Sequence, residues 1–576
     1  MLDDTRLSAT GLADEAGARD GARIDEHTPP VVVPGGLGAV AALGSALALA
    51  ACGSDGGTAA PPGAAPAITV AAVAIAPAQA SRFLTQATMG GTRATVDAVV
   101  ASGYESWINA QFAMARATSH WDWLIANGYD AAANITSEAG YDATVWRQLI
   151  AEPDQLRQRV GMALLDMLVV GIDGISGNWR AFAAAAYLDV LMDGAFGNFR
   201  TLLGAITTNA GMGSFLTFLG NRKANAATGS QPDENYAREL MQLFTLGLYK
   251  LNMDGTPVGG ATPVETYTQA DVSGLARVFT GLSLAGSDTT TPAVYRQPLV
   301  MNASINETGA ATFLGTSVSG GGMAAVNTAL DAIFAHPNMP PFVSKQIIQR
   351  LVSSNPSGAY VARVAGVFAD NGKGVRGDMQ AVLKATLLDT EARSDASLAT
   401  TTGGKLREPI TRLTGWARAY GAASPSNAWA IGDTSSAATR LGQSPGRSQT
   451  VFNFFRPEYT PPNTSIAAAG LVAPEFQITN EQTVVGTVNY LQSLIAGGTG
   501  DVKADYTAIL AKASDSGALV DEVNVVLAAG QLSAATVASI RTAVDSVATT
   551  ATNGPVNRVG IAILLAMASP DYLTVR

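Results

Sequence analysis

The segment around residues 234–242 carries polar side chains at helical spacing. Glu234 and Arg238 are four residues apart, and Asn235, Glu239 and Gln242 follow at steps of four and three. Because such residues are neighbours on a helix surface, they predict one polar face. Glu234, Arg238 and Glu239 could there form a catalytic carboxylate/arginine site or supply carboxylate metal ligands, with Asn235 and Gln242 as binding residues. The alternative is a buried ion network that fixes helix packing, in which case losing Arg238 or Glu239 destabilises the fold.

A second candidate site is basic. Five side chains could converge on a phosphate, sulfate or uronate, namely Lys345, Lys405, Arg407, Arg412 and Arg456. Three of them surround the start of a predicted helix at Pro409, where the helix dipole also favours anions. The alternative is that these arginines pair with Glu408, Glu458 and helix C-termini and so tie loops to helices.

Two further patterns involve hydroxyl and aromatic residues. Ser444 stands in a G-x-S-x-G pattern, but no convincing strand precedes it and no histidine follows it, so a nucleophilic role is not predicted. The aromatic run around Phe452, Phe454, Phe455 and Tyr459 could stack on sugars or plug into the core.

Composition excludes several classes of site. The chain of 576 residues has one cysteine and three histidines, which excludes a cysteine-ligated or histidine-rich metal centre. We expect no metal and no cofactor, and no phosphate-binding or dinucleotide motif is present. The net charge of −10 argues against general nucleic-acid binding, which needs Lys and Arg to neutralise phosphates.

The elements that must position these residues are predicted to be helices. Apolar residues recur at about four or seven positions over 141–168, and residues 233–249 and 409–420 show similar patterns. Residues 294–321 lose this period and gain Gly, Ser and Thr, which predicts loops and a small hairpin. The sequence therefore predicts an all-α, multi-helix globular domain with a minor β-hairpin.

The N-terminal part predicts export. Residues 37–51 carry no charge, and Cys52 follows them directly. The string L-A-A-C-G over residues 49–53 resembles a bacterial lipobox. We expect residues 1–51 to be the export segment, Cys52 the lipidated residue, 52–80 a flexible tether, 81–500 the main helical domain and 501–576 a C-terminal helical segment packed on it. The expected location is the cell envelope, at the outer membrane or the periplasmic face. The alternative is an uncleaved apolar segment, since the preceding 30 residues are acidic rather than basic.

Several segments, in order, resemble the bacterial domain-of-unknown-function 1800 family over about residues 80–576. They are ENYARELMQLFTLG (234–247), ARVFTG (276–281), HPN (336–338), FVSKQ (342–346), GKLREP (404–409), LGQSP (441–445), VFNFFRP (451–457) and ASPDYL (568–573). The resemblance implies a helical exported protein without an established activity. It also implies a possible partner from the domain-of-unknown-function 1501 family, which is similar to sulfatases and alkaline phosphatases.

Three functions fit these patterns. The first is a non-enzymatic, lipid-anchored envelope protein that scaffolds or assists a secreted hydrolase-like partner. The second is an enzyme with its site on the helix from Glu234 to Gln242. The third is a module that binds a polysaccharide or an anion.

Overall fold

Apolar side chains at three- and four-residue spacing form helices through most of the chain that the structure describes. The structure is a computed structural model that describes residues 74–116, 118–400 and 402–576. Within these residues there are 24 α-helices and three two-stranded antiparallel sheets. The all-α class with minor β-hairpins, predicted from the sequence, is confirmed. Cys52 and the predicted export segment lie outside the described residues.

The helices are named here in chain order. The first nine are α1 (Pro77–Ala87), α2 (Arg93–Ser102), α3 (Tyr104–Ala113), α4 (His120–Ala126), α5 (Tyr141–Ala151), α6 (Gln155–Met167), α7 (Arg180–Gly194), α8 (Phe199–Thr207) and α9 (Ala210–Phe215). The next eight are α10 (Asn235–Glu239), α11 (Gln269–Val278), α12 (Gly322–Ala335), α13 (Met339–Leu351), α14 (Gly358–Ala369), α15 (Met379–Leu388), α16 (Thr390–Arg393) and α17 (Pro409–Ala419). The last seven are α18 (Ser465–Ala468), α19 (Glu481–Gly497), α20 (Thr507–Leu510), α21 (Ser516–Ala528), α22 (Ala534–Asp545), α23 (Gly554–Ala568) and α24 (Pro570–Leu573).

The starts of many helices follow from capping residues in the sequence. The side chain of Thr92 accepts a hydrogen bond from the Thr95 N–H at the start of α2, and Ser357 caps α14 in the same way through Tyr360. Such caps satisfy N–H groups that have no partner inside the helix. In α17 the first residue is Pro409, whose missing N–H costs nothing at that position.

The six strands are short and pair locally or across the chain. Strands β1 (Leu282–Ser283) and β2 (Val300–Met301) pair, and β3 (Ala311–Phe313) and β4 (Thr316–Val318) form the hairpin within the predicted region 294–321. Strand β5 (Lys405–Leu406) pairs with β6 (Thr574–Val575). The last pairing holds the C-terminal residues against the segment that leads into α17.

The core is centred on α7, whose small residues let neighbouring helices approach closely. Residues 181–186 of this helix are almost entirely alanine and are buried, and the helix contacts α4, α6, α8 and α9. Helix α6 in turn packs on α13, which carries one wall of the candidate site. Among the described residues, no helix has both the length and the apolar composition needed to cross a membrane.

Candidate functional site

An open cleft of about 720 Å³ lies between α13, the segment 242–257 and the loop 451–460. Its volume is in the range of roughly 300–1,000 Å³ that is typical of small-molecule sites. Three of the residues predicted to bind a ligand line it, namely Gln242, Lys345 and Arg456. Each of these residues is more than 100 positions from the next in the sequence, so it is the fold that brings them together.

One wall of the cleft is a single face of α13. Phe342, Lys345, Gln346 and Gln349 line it, at the three- and four-residue spacing of a helix face. The Gln349 amide donates hydrogen bonds to the carbonyls of Ser354 at 3.0 Å and Pro457 at 3.4 Å. Gln349 therefore fixes α13 to the opposite loop, while Lys345 remains available to a ligand.

The second wall begins where α10 changes its winding. The sequence predicted one regular helix over 233–249, but α10 ends at Glu239 and residues Leu240–Thr245 continue as a π-helix. In this turn the N–H of Leu246 bonds to the carbonyl of Met241, five residues earlier, at 2.9 Å. π-turns are rare and are frequent at functional sites. Here the turn presents Gln242, whose Oε1 accepts a hydrogen bond from the Tyr267 hydroxyl at 3.1 Å.

Gly247 ends this helix and packs directly on the α13 wall. Its backbone is left-handed, with φ of +77°, and an added Cβ would lie 2.8 Å from the ring of Phe342. Only glycine fits both the conformation and the space. The next residues, Leu248 and Tyr249, line the cleft and are about half exposed, at 50% and 44%.

A buried asparagine holds the loop that follows Gly247. The Asn338 amide donates to the carbonyls of Leu246 at 3.0 Å and Tyr249 at 2.7 Å, and its oxygen accepts the N–H of Leu251 at 3.0 Å. The nearby His336 ring accepts the Asn338 N–H through Nδ1 at 3.1 Å. The HPN segment therefore shapes one wall of the cleft.

The third wall is the aromatic loop, in which the aromatic side chains have separate roles. Phe455 is buried, while Phe452 and Tyr459 line the cleft. The guanidinium of Arg456 lies over the Phe452 ring at 4.4 Å. The backbone N–H of Arg456 donates a hydrogen bond to Gln477 Oε1 at 2.8 Å. The aromatic residues of this loop are therefore divided between the core and the cleft surface.

Two cationic side chains at the cleft have no acidic partner within the part of the chain that the structure describes. Among the described residues, neither Lys345 nor Arg456 forms an ion pair, and the alternative Arg456–Glu458 pair is not formed there. Cations without a carboxylate partner, beside an aromatic ring and free amides, suit an anionic ligand that also has a flat apolar face.

The floor of the cleft contains Asp166 of α6 and Arg350 of α13. The Asp166 carboxylate is 3.9 Å from Arg350 Nη1 and accepts a hydrogen bond from the Asn453 amide. Burial, and then the nearby carboxylate of Glu408, raise the pKa of Asp166 to about 7. Arg350 is buried over the ring of Phe455 at 4.8 Å, and its Nε and Nη1 have no hydrogen-bond partner among the described residues.

The other three basic candidates do not line the cleft. Lys405 is buried and pairs with Glu475 at 2.9 Å and Glu408 at 3.4 Å. Arg407 stacks on the Tyr572 ring at 4.3 Å and donates to the Tyr572 carbonyl at 3.1 Å. Arg412 donates to the carbonyl of Arg407 at 3.0 Å. The structure thus places all three in ties between loops and helices. Arg407 reaches a carbonyl at the C-terminus of α24, as the alternative predicted, but among the described residues it is Lys405, and not Arg407 or Arg412, that pairs with Glu408.

Unlike Gln242, the other candidates of this segment, namely Glu234, Asn235, Arg238 and Glu239, do not line the cleft. Glu234 and Arg238 form a partly exposed pair at 3.1 Å, and the Ser273 hydroxyl, followed by Gln269, lowers the pKa of Glu234. The Asn235 side chain is exposed, and its Nδ2 donates a long hydrogen bond of 3.4 Å to the Thr217 hydroxyl.

Glu239 lies on the buried side of α10, and its carboxylate is not within 4.0 Å of the Arg238 guanidinium. Its Oε2 has no hydrogen-bond partner within the described structure, and burial raises its pKa. The buried Arg238–Glu239 pair considered from the sequence is therefore not formed among these residues.

The sequence reasoning missed Asp166, Arg350 and Asn338. Asp166 had a visible signal, because it is the one carboxylate within the apolar run Leu164–Leu168. Ser444 is buried and its hydroxyl accepts the Thr434 N–H at 3.2 Å, which is a structural role. Among the described residues, no group of three or more His, Cys, Asp or Glu is arranged to hold a metal ion.

Residues 82–574 match the sequence profile of a family described as proteins of unknown function, DUF1800. The chain belongs to the DUF1800 family. No curated protein and no solved structure matches it. The matched region contains every wall of the cleft, so the cleft lies within the family domain.

Proposed function

We propose that the cleft binds an acidic saccharide, such as a segment of a uronate-containing polysaccharide. The observation that carries this proposal is the convergence of Lys345 and Arg456, two cations without an ion pair among the described residues, on a cleft that also exposes Phe452 and Tyr459. Aromatic faces stack on sugar rings, and the cations neutralise the carboxylates.

The polar groups of the other walls fit the same ligand. The Gln242 amide nitrogen and the Gln346 side chain offer hydrogen bonds to hydroxyl groups, and both residues line the cleft. The exposed side chains of Leu248 and Tyr249 add apolar contact at the rim. This mixture of a few polar groups on a largely apolar lining is typical of ligand sites.

The test is calorimetric titration of the protein with a uronate oligosaccharide and with a neutral oligosaccharide of the same length. We expect the uronate ligand to bind and the neutral one to bind much more weakly. Lys345→Ala and Arg456→Gln should each weaken binding about tenfold, since a hydrogen bond to a charged group contributes about 1.5 kcal/mol or more. Sulfated and phosphorylated ligands then define the preferred anion.

Matched controls remove the same charge elsewhere. Lys373→Ala and Arg222→Gln alter exposed residues that do not line the cleft, and they should leave the affinity unchanged. Equal affinity for the neutral and the uronate oligosaccharides, or equal losses in the control variants, would contradict the proposal.

We also propose that the protein is exported and anchored in the cell envelope through a lipid on Cys52. The support is the uncharged run of residues 37–51 that ends in the lipobox-like string before Cys52. Cys52→Ser should abolish labelling with a fatty-acid probe and leave an uncleaved precursor. Unchanged labelling and mass in this variant would refute the anchor.

A protein of the domain-of-unknown-function 1501 family is the partner that we propose from the family resemblance. Such a partner would act on a polysaccharide that the cleft holds. Co-purification of the two proteins from the native envelope tests this, and recovery of the tagged chain without that protein would count against it.

A further inference from the structure

The floor of the cleft lies on a buried cluster of six charged side chains, none of which has a role in the proposed saccharide binding described above. Asp166, Glu408 and Glu475 are the acids, and Arg159, Arg350 and Lys405 are the bases. With every group ionised the cluster is neutral. Of the three acids, only Asp166 lines the cleft.

The three carboxylates are not equally well paired. Lys405 lies 2.9 Å from Glu475 and 3.4 Å from Glu408, whereas the closest cation to Asp166 is Arg350, at 3.9 Å. Glu408 also accepts a hydrogen bond from the Gln443 amide at 3.2 Å. Asp166 is therefore the weakly paired acid of the cluster, and it is the one that a ligand can reach.

We propose that the cleft binds an acidic group of its ligand at Asp166 together with one proton, which Asp166 takes from the solvent and then donates to the ligand as a hydrogen bond. This inference rests on the proposed function, because it assigns the position of the ligand's acidic group within the same cleft.

The physical reason is charge balance. An ionised Asp166 would face the ligand's carboxylate across a partly buried floor, where like charges repel strongly. A protonated Asp166 is neutral and gains an O–H donor. It keeps the hydrogen bond from Asn453, which needs only an acceptor oxygen. One proton thus converts repulsion into a hydrogen bond.

The electrostatic surroundings favour Asp166 as the group that takes the proton. The charged groups that act on Asp166 are Glu408, Arg350 and Lys405. Although burial opposes the charge on Glu408, Lys405 and Arg159 hold the pKa of that carboxyl below its usual value. The pKa of Asp166 is raised to about 7, first by burial and then by Glu408.

The expected size of the effect follows from the protonated fraction. With a pKa of about 7, Asp166 is about 90% protonated at pH 6 and about 10% at pH 8. The affinity for an acidic ligand scales with this fraction, so binding should be about tenfold weaker at pH 8 than at pH 6. A uronate stays ionised over this range and does not contribute to the change.

The test uses the full chain and a uronate oligosaccharide. Titration calorimetry at pH 8 in two buffers of different ionisation enthalpy counts the protons taken up on binding, and we expect about 0.9, because only about 10% of Asp166 is protonated before the ligand binds. The affinity of the wild type should fall about tenfold between pH 6 and pH 8. Asp166→Asn, which is neutral at every pH, should bind as tightly at pH 8 as the wild type does at pH 6.

Glu458→Gln is the matched control, because it removes a different carboxylate from the cleft lining. This variant should keep the tenfold pH dependence. Binding without proton uptake in the wild type, or a pH dependence that persists in Asp166→Asn, would overturn the inference and leave the proposed function standing. The proton count needs only the wild type, so it decides the question even if Asp166→Asn fails to fold. Absence of uronate binding at every pH would overturn the proposed function and this inference together.

Discussion

Replacing Lys405 with methionine should lower the free energy of unfolding by about 3–5 kcal/mol, because it leaves buried carboxylates without their closest cation. The Lys405 ammonium is 2.9 Å from Glu475 and 3.4 Å from Glu408, and it also donates to the carbonyl of Arg350 at 2.8 Å. All three side chains of this group are buried. Methionine keeps most of the volume, so the loss reports the missing charge rather than a cavity.

The loss can be expressed as a shift in melting temperature. A unit of about 500 residues has an unfolding entropy of about 1 kcal/mol/K, so a loss of 3–5 kcal/mol corresponds to about 3–5 °C. Differential scanning calorimetry measures such a shift directly. Denaturant unfolding gives an independent value from the change in midpoint.

Lys384→Met is the matched control. Lys384 pairs with Glu105 at 3.0 Å, but both side chains are substantially exposed, so the pair contributes at most about 1 kcal/mol. Glu475→Gln added to Lys405→Met should recover part of the loss, because it removes one of the uncompensated charges. If Lys405→Met melts no earlier than Lys384→Met, the reasoning from buried charge is refuted.

Three further substitutions test one wall of the cleft and the helix beside it. Gly247→Ala should lower the free energy of unfolding by about 1–3 kcal/mol, because the left-handed backbone is strained for alanine and the Cβ would lie 2.8 Å from Phe342. The control is Gly260→Ala, since Gly260 also has a positive φ, of +58°, but has open space around it. Equal melting temperatures of the two variants would contradict the predicted steric contact with Phe342. Arg238→Ala should change stability by no more than about 0.5 kcal/mol, since its i,i+4 pair with Glu234 is partly exposed to solvent. Glu239→Gln should be neutral at low pH and stabilising at higher pH. Burial raises the pKa of Glu239 in the folded state, so the wild type loses stability as the pH rises above the pKa that this carboxyl has in the unfolded chain. Glutamine carries no charge and does not lose this stability. If the free energies of unfolding of the wild type and of Glu239→Gln change in parallel from pH 4 to pH 8, the burial argument for Glu239 is wrong.

Much of the helical framework could be predicted because it depends on local sequence. Apolar spacing and capping residues such as Thr92 and Ser357 act within a few positions, so they are visible without a structure. The same holds for Lys345 and Gln349, whose four-residue spacing places them on one face of α13. The hairpin of β3 and β4 followed from the loss of helical period in its region.

The candidate site was only partly predictable, because burial of a charge depends on distant segments. Lys405 has the sequence context of an exposed basic residue, but the pairing of β5 with the C-terminal β6 and the carboxylate of Glu475 place it inside the protein. The π-turn after α10 is likewise invisible to a periodic pattern. It turns Gln242 toward the cleft and separates it from Glu234 and Arg238.

A crystal structure of the protein with a bound uronate oligosaccharide would show directly whether the ligand occupies the cleft. We expect the ligand in the cleft, with carboxylate oxygens within about 3 Å of Lys345 Nζ or the Arg456 guanidinium and a sugar ring against Phe452. At pH 6 a further carboxylate oxygen should lie within hydrogen-bond distance of Asp166. A ligand bound elsewhere on the molecule, with the cleft empty at saturating concentration, would contradict the account.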